Sequence, residues 1–417
     1  MEMRLWKIYA EKTELIRRKM LEELSRADGT GGFQAEFGDL DRWCREMIEE
    51  EILSEEDISV AESEQLIQRI YAKVRTRLGV LTPLVEDDTV SEIMVNGPEH
   101  VFIEDHCGIR RADVCFESIE ELEEIIRNIA AGVHREINET NPILDARLRN
   151  GSRVNAVYRN LTSVGPILTI RKFSKEKITI AQMVREGTLT EECADYLKKL
   201  VQYGFNLFIS GGTSTGKTTF LNALTDFIPA AERVIVIEDS RELMITNVDN
   251  LVQMECHNAN SLGRGQVSMD MLIKTSLRMR PDRIIVGEIR GKEALDMLQA
   301  MNTGHAGSMS TGHGNSVEGM LRRLEAMYLM NANIPMDSIR AQIVEGIDIM
   351  IHLARTADGV RRVVEIQELV GHRDGNYILN PLFLVTEEGG VQLSRTGNRL
   401  IRRQKLMWRG GDTVDGI

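Results

Sequence analysis

The sequence predicts an α/β protein: a doubly wound P-loop domain, preceded by a smaller mixed α/β domain and an N-terminal helical region. Three observations predict it. Residues 206–219 read NLFISGGTSTGKTT, a short apolar strand running into Gly211-x-x-x-x-Gly216-Lys217-Thr218. Apolar strands at 234–237, 251–254 and 284–286 follow, separated by helical stretches, the alternation that builds a parallel sheet. Upstream of about residue 80, apolar residues recur at helical spacing with few β-branched runs.

In chain order, residues 1–75 are expected to be helical, interrupted by GTGG at 29–32, with the acidic run 49–57 as a solvated helix face. Strands are expected at 89–96, 101–104 and 109–116, the last after a turn at 105–108. Ser118 and Glu121 form a capping box for a helix ending near Gly132. Residues 153–158 and 167–173 are two further strands, closing a mixed α/β domain over 76–173. Residues 174–205 form a linker and a helix capped by Thr190 and closed by Gly204. The last region, 206–417, starts at the P-loop strand. It ends in hairpins: 349–353 and 360–366 flank Asp358-Gly359, and 377–385 follows Asp374-Gly375.

Composition sets the broad class. The chain has 417 residues, 42% hydrophobic and 28% charged, ordinary for globular domains. No apolar run approaches bilayer length, and the first twenty residues are charged throughout, so a cytoplasmic location is expected. The net charge is −13, and residues 1–65 hold 9 Lys/Arg against 18 Asp/Glu. That balance disfavours direct nucleic-acid binding, which needs a basic field. The five cysteines form no CxxC pair, so neither a disulfide framework nor a structural zinc is expected.

The P-loop carries the chemistry. Gly211, Gly212, Thr213, Ser214, Thr215 and Gly216 would curl their backbone N–H groups around phosphate oxygens, with Thr219 opening the helix behind them. Lys217 would reach the β- and γ-phosphates and the Thr218 hydroxyl would hold Mg²⁺, so ATP and Mg²⁺ are the expected ligands. Glu238 and Asp239 end an apolar strand, where a carboxylate can deprotonate the attacking water. Gly287-Glu288 ends another, but Gly stands where a metal-assisting Asp is usual. Glu288 is therefore assigned an indirect role, on a metal-bound water or on Lys217. His305 and His313, each in a Thr-Gly-His triplet, are candidates for sensing the γ-phosphate or signalling to a neighbour.

The set GGTSTGKTT, IEDSREL, LRMRPDRIIVGEIRGKEALDMLQAMNTGH and STGHGNS resembles the type II/IV secretion ATPase superfamily. It is most similar to the CpaF/TadA-type branch of Flp (tight-adherence) pilus assembly, over roughly residues 75–370. The resemblance implies a RecA-like ATPase domain and names IEDS the Asp box, VGE an atypical Walker B and the TGH region the His box. It also implies that NPILDARLRNGSRVNAV and ILTIRKF supply arginines to the nucleotide. Arg153 and Arg171 match those positions, with Arg147 and Arg149 as weaker candidates, while YRNLTSVG at 158–165 departs from the Pro-rich turn of many relatives. Phe173 and residues 178–180 are candidates for the base-stacking pocket.

The same resemblance implies a homohexameric motor at the inner face of the cell membrane, acting on inner-membrane platform proteins. Two other readings stay open: a conjugative relative of the same superfamily, and a nucleotide-gated scaffold without useful turnover.

Overall fold

The computed structural model describes residues 37–55, 58–75, 78–105, 107–133, 135–148, 150–173, 177–257, 265–330, 334–386 and 392–408, with positions 5, 8, 9, 11–16, 18 and 19 before them. It divides into two compact units, Met1–Ser174 and Lys175–Ile417.

In the first unit, helices α1 (Phe37–Leu53) and α2 (Val60–Arg75) present Cys44, Ile48 and Ile52, and Leu66 and Ile70, at four-residue spacing to a small shared core with Tyr9 and Ile16. The GTGG segment lies outside the described residues. Glu51 on the acidic run is paired with Lys12 and Lys19, so that face is not wholly solvated.

The rest of this unit is a six-stranded antiparallel sheet of order β3-β2-β1-β6-β5-β4. Its strands are β1 (Glu92–Asn96), β2 (Val101–Asp105), β3 (Gly108–Arg111), β4 (Ile143–Arg147), β5 (Arg153–Val157) and β6 (Ile167–Arg171). Alternate residues Ile93, Val95, Val154, Ala156, Leu168 and Ile170 point inward onto a helix, Ile119–Gly132, through Leu122, Ile125, Ile126 and Ile129. Ser118 Oγ accepts the Glu121 N–H at 3.2 Å, whereas the Glu121 carboxylate reaches back to the Glu117 N–H, one residue before the cap. β3 stops at Arg111 instead of 116, and edge strand β4 shows no alternation in sequence because only Leu144 is buried.

The second unit is a nine-stranded sheet of order β15-β14-β13-β12-β7-β11-β10-β8-β9. These are β7 (Leu207–Gly211), β8 (Val234–Glu238), β9 (Leu251–Glu255), β10 (Arg283–Ile289), β11 (Met309–His313), β12 (Ile349–Arg355), β13 (Arg361–Arg373), β14 (Asn376–Thr386) and β15 (Gln392–Arg395). The six from β12 to β9 run parallel and the other three are antiparallel. Leu207, Ile209, Val234 and Val236 face one layer, with Leu197 and Leu200 of the helix Glu191–Gln202 and Phe220 and Leu221 of the helix Lys217–Leu224. Phe208, Ile235, Ile237 and Val286 face the other, against the helices Glu293–Asn302, Val317–Leu329 and Met336–Gly346. Both faces are covered, as a parallel sheet requires. Among the described residues no helix is long and apolar enough to cross a membrane.

β11 departs from expectation, because MSTGH reads as a polar loop. It lies in the middle of the sheet all the same. Ser310 and Thr311 are buried but satisfied, donating to Val286 O and Gly287 O at 2.9 and 2.8 Å. A Cβ on Gly312 would come within 2.8 Å of Met320 Cε and 3.1 Å of Phe208, so close packing demands small residues there.

Asn206 joins three strand starts. Its Oδ1 accepts from Gly307 and Ser308 N–H at 2.8 and 3.1 Å, its Nδ2 donates to Gly346 O at 2.7 Å, and its own N–H donates to Asp348 at 2.7 Å. Asn206→Ala would strand three buried backbone groups and is expected to cost about 3 kcal/mol. Urea unfolding should show it as a clear fall in midpoint; a loss below about 1 kcal/mol would contradict the buried network.

Candidate active site

β7 delivers the chain to Gly211, where a side chain is impossible: a Cβ would stand 2.6 Å from both Leu353 O and Thr215 Oγ1. The loop then turns through left-handed conformations at Ser214 and Gly216, φ +57° and +88°, into the helix that starts at Lys217. Gly212 to Thr219 are thus wrapped around one point, with Thr218 partly exposed beside the buried Lys217.

Lys217 Nζ donates to Gly212 O at 2.6 Å and lies 3.3 Å from His313 Nδ1. Since an ammonium only donates, Nδ1 is the acceptor and the imidazole proton is assigned to Nε2. Burial pushes the His313 and Lys217 pKa values down, with Glu288 opposing the shift in both. His313 Nε2 is 2.7 Å from Glu288 Oε1, but that oxygen has no aligned hydrogen-bond donor. Glu288 Oε2 accepts from Arg290 at 2.7 Å, and Arg290 stands 3.5 Å from Asp239. Lys217, His313 and Glu288 therefore form one contiguous group at the loop. The residues fit a metal-bound triphosphate: a lysine resting on a loop carbonyl, a hydroxyl next to it, and a buried carboxylate oxygen lacking a donor.

Glu238 is placed differently. The order β7-β11-β10-β8 sets its strand three spacings from the P-loop strand, roughly 14 Å. Its Oε1 is taken by the Glu242 and Leu243 N–H groups at 2.8 and 2.9 Å, and burial raises its pKa to about 7. A Cβ at Gly287 would lie 3.1 Å from Glu238 Cγ. Glycine replaces the usual aspartate because Glu238 fills that space. Glu288 thus contacts the group around the loop lysine, whereas the carboxylate of Glu238, expected at the phosphates, is held by its own loop one strand further out, a placement set by strand order, which is invisible in the sequence.

His305 lies outside the Lys217–His313–Glu288 group. It precedes β11, roughly 13 Å along the strand from His313, at the far end from the P-loop. Its Nδ1 lies 3.0 Å from Ala300 O, a helix-end contact.

In the first unit, Arg153 is directly opposite Arg171 on one side and Arg147 on the other, so three arginines form a row across β4, β5 and β6. Arg171 pairs with Glu92 at 3.2 Å and Arg147 donates to Gly151 O at 3.0 Å. Like charges opposite one another on a sheet are unfavourable, so such a row favours an anion. Arg149 lies outside the described residues. Phe173 packs near Gly151 in this unit, while Ile178 belongs to the second.

Two clefts flank the P-loop. One of about 460 Å³ is lined by Gly212, Thr213, His313, Asn315 and Arg323. The other, about 330 Å³, joins Gly216 and Thr219 to Ile178, Met183, Phe220, Leu353, Arg355 and Arg361. A larger cleft of about 550 Å³ in the first unit has no phosphate-binding loop. Sequence reading missed Arg323, Arg355 and Arg361, whose only signal was their place after the His box and around Asp358-Gly359. It also missed His352, buried beneath the loop with Nδ1 2.8 Å from Ser210 Oγ.

An uncharacterised protein of Methanocaldococcus jannaschii is 42% identical over 281 residues, which are 64% of this chain and 36% of that protein, so the chain spans about a third of that relative. Conjugal transfer protein TrbB of Rhizobium radiobacter is 33% identical over 331 residues, 78% of this chain and 97% of TrbB. The X-ray structure of the Legionella pneumophila ATPase DotB matches with a TM-score of 0.51 at 21% identity, covering 71% of this chain and 80% of that one, a likeness of fold. The second unit accordingly has the RecA-like arrangement of parallel strands around a P-loop. The family described as Type II/IV secretion system protein matches residues 75–377, well over half of the sequence, and this chain belongs to that family.

Proposed function

We propose that the chain is an ATP-hydrolysing motor of a pilus-assembly or secretion machine, working as a homohexamer on inner-membrane platform proteins from the cytoplasmic side. The observation that carries this reading is the contiguous Lys217–His313–Glu288 group at the P-loop. The loop N–H groups and Lys217 would bind the triphosphate, displacing Lys217 from Gly212 O. Thr218 would hold Mg²⁺, with Glu288 reaching it through water, and the ion would neutralise phosphate charge. An attacking water forms the new P–O bond as the bond to the β-phosphate oxygen breaks, and its proton passes to Glu288. His313, neutral and oriented by Lys217, would feel the γ-phosphate and pass its loss to Glu288 and Arg290. Arg153 and Arg171, with Arg147, would neutralise charge on the γ-phosphoryl oxygens.

The pilus reading rests on the CpaF/TadA-type resemblance of the Asp, Walker B and His boxes. A conjugative role is the second reading, favoured by the match along almost all of TrbB. Deleting the gene and scoring piliation against plasmid transfer separates them. A scaffold without turnover is excluded if purified protein releases phosphate steadily.

Glu288→Gln is expected to cut kcat at least 100-fold while ATP binding stays within a few-fold, and Lys217→Ala to abolish binding itself; calorimetry with steady-state phosphate release checks both. Turnover surviving in E288Q would return the base to Glu238. Arg153→Ala and Arg171→Ala should each lower kcat about tenfold or more with near-normal ATP affinity, and unimpaired hydrolysis in both would remove them from the site.

Glu238 generates a pH prediction. Its folded pKa of about 7 exceeds the ordinary carboxyl value of 4.5, so its stabilising protonated form is full below 4.5 and lost as pH rises through 7. Glu238→Gln should therefore gain urea stability over wild type at pH 8, by up to about 3 kcal/mol, and little at pH 5. An equal difference at both pH values would contradict the buried carboxyl.

A further inference from the structure

The 330 Å³ cleft is large enough for a small ligand and is built in two halves. Ile178, Met183, Phe220 and Leu353 make one half apolar, and Gly216 and Thr219 bring the loop's second half to its floor. In a P-loop the terminal phosphate lies by the lysine and metal, so the end beyond Gly216 belongs to the α-phosphate and nucleoside.

Two arginines overhang that end. β12 and β13 place Arg355 and Arg361 directly opposite one another, flanking the turn at Asp358-Gly359. Arg355 is anchored, its Nε donating to Gly359 O at 3.0 Å. The Arg361 side chain has no hydrogen bond or ion pair among the described residues, although the adjacent Arg362 takes Asp358 at 2.7 Å. The Arg361 stem passes 3.5 Å from the Cβ position of Gly216, so its side chain lies over the loop itself. A like-charged cross-strand pair is unfavourable by itself and is relieved by an anion.

We infer that Arg361, supported by Arg355, grips the α-phosphate of the bound nucleotide from within the same chain, while the apolar half of the cleft holds the base. This deepens the nucleotide-site reading and rests on it. The guanidinium meets a phosphate that does not change during hydrolysis. It therefore contributes binding shared by ATP, ADP and the transition state, unlike the groups at the γ-phosphate.

The experiment measures ADP and ATP affinity by calorimetry, together with KM for ATP and the melting temperature without nucleotide, for wild type, Arg361→Ala and Arg361→Lys. Arg361→Ala is expected to weaken ADP and ATP alike by about tenfold and to raise KM for ATP in step, with a ligand-free melt no lower than that of wild type. Arg361→Lys should recover part of the affinity, as a point charge replaces the planar fork. ADP binding unchanged within twofold in Arg361→Ala, or a loss confined to ATP, would overturn the assignment. Wild-type protein that binds neither nucleotide would overturn both this inference and the site reading beneath it.

Discussion

A buried ammonium must find acceptors, and in this chain that requirement organises the site. Lys217 is only 6% exposed and takes Gly212 O and His313 Nδ1. By accepting at Nδ1 the imidazole keeps its proton on Nε2, towards Glu288, and Glu288 in turn holds Arg290 beside Asp239. One desolvated charge thus links the P-loop to residues from the Asp box, the Walker B strand and the His box. A phosphate arriving at Lys217 competes for its ammonium, and every later member of the chain stands to feel that exchange.

The sheet makes the linkage possible. β11, built of small residues, fits between β7 and β10 and carries His313 to the level of Gly211. Asn206, just ahead of β7, ties that strand at its opposite end to the starts of β11 and β12. Gly287 and Glu238 share one space: the strand without a side chain at that point accommodates the bulk of its neighbour. The atypical Walker B is in this sense a packing solution, in which a second carboxylate fills the space of the missing one within the layer and has its pKa raised to about 7 by burial.

Sequence reading reached what local pattern encodes. The P-loop, the caps at Ser118 and Thr190, the two Asp-Gly hairpin turns and most apolar strands were legible because turn chemistry and periodicity specify them residue by residue. β11 was not, since its hydroxyls are satisfied by the neighbouring strand and look like loop residues until that neighbour is known. The placing of Glu238 and His305 also depends on strand order and on which end of a strand a residue occupies, and neither is a local property. Arg153 and Arg171 were named from resemblance; their alignment with Arg147 across three strands came only from register. Arg361 had no signal beyond its place beside Asp358-Gly359, because its partner loop lies about 145 residues earlier in the chain, at Gly216.

At the centre of this account is a lysine that rests on its own loop until a triphosphate claims it. The most direct measurement is a crystal structure with Mg²⁺ and a non-hydrolysable ATP analogue. Lys217 Nζ is expected to leave Gly212 O for the β- and γ-phosphate oxygens, with Glu288 within one water of the ion. A lysine still on Gly212 O beside a bound analogue, with Glu288 remote from the terminal phosphate, would contradict it.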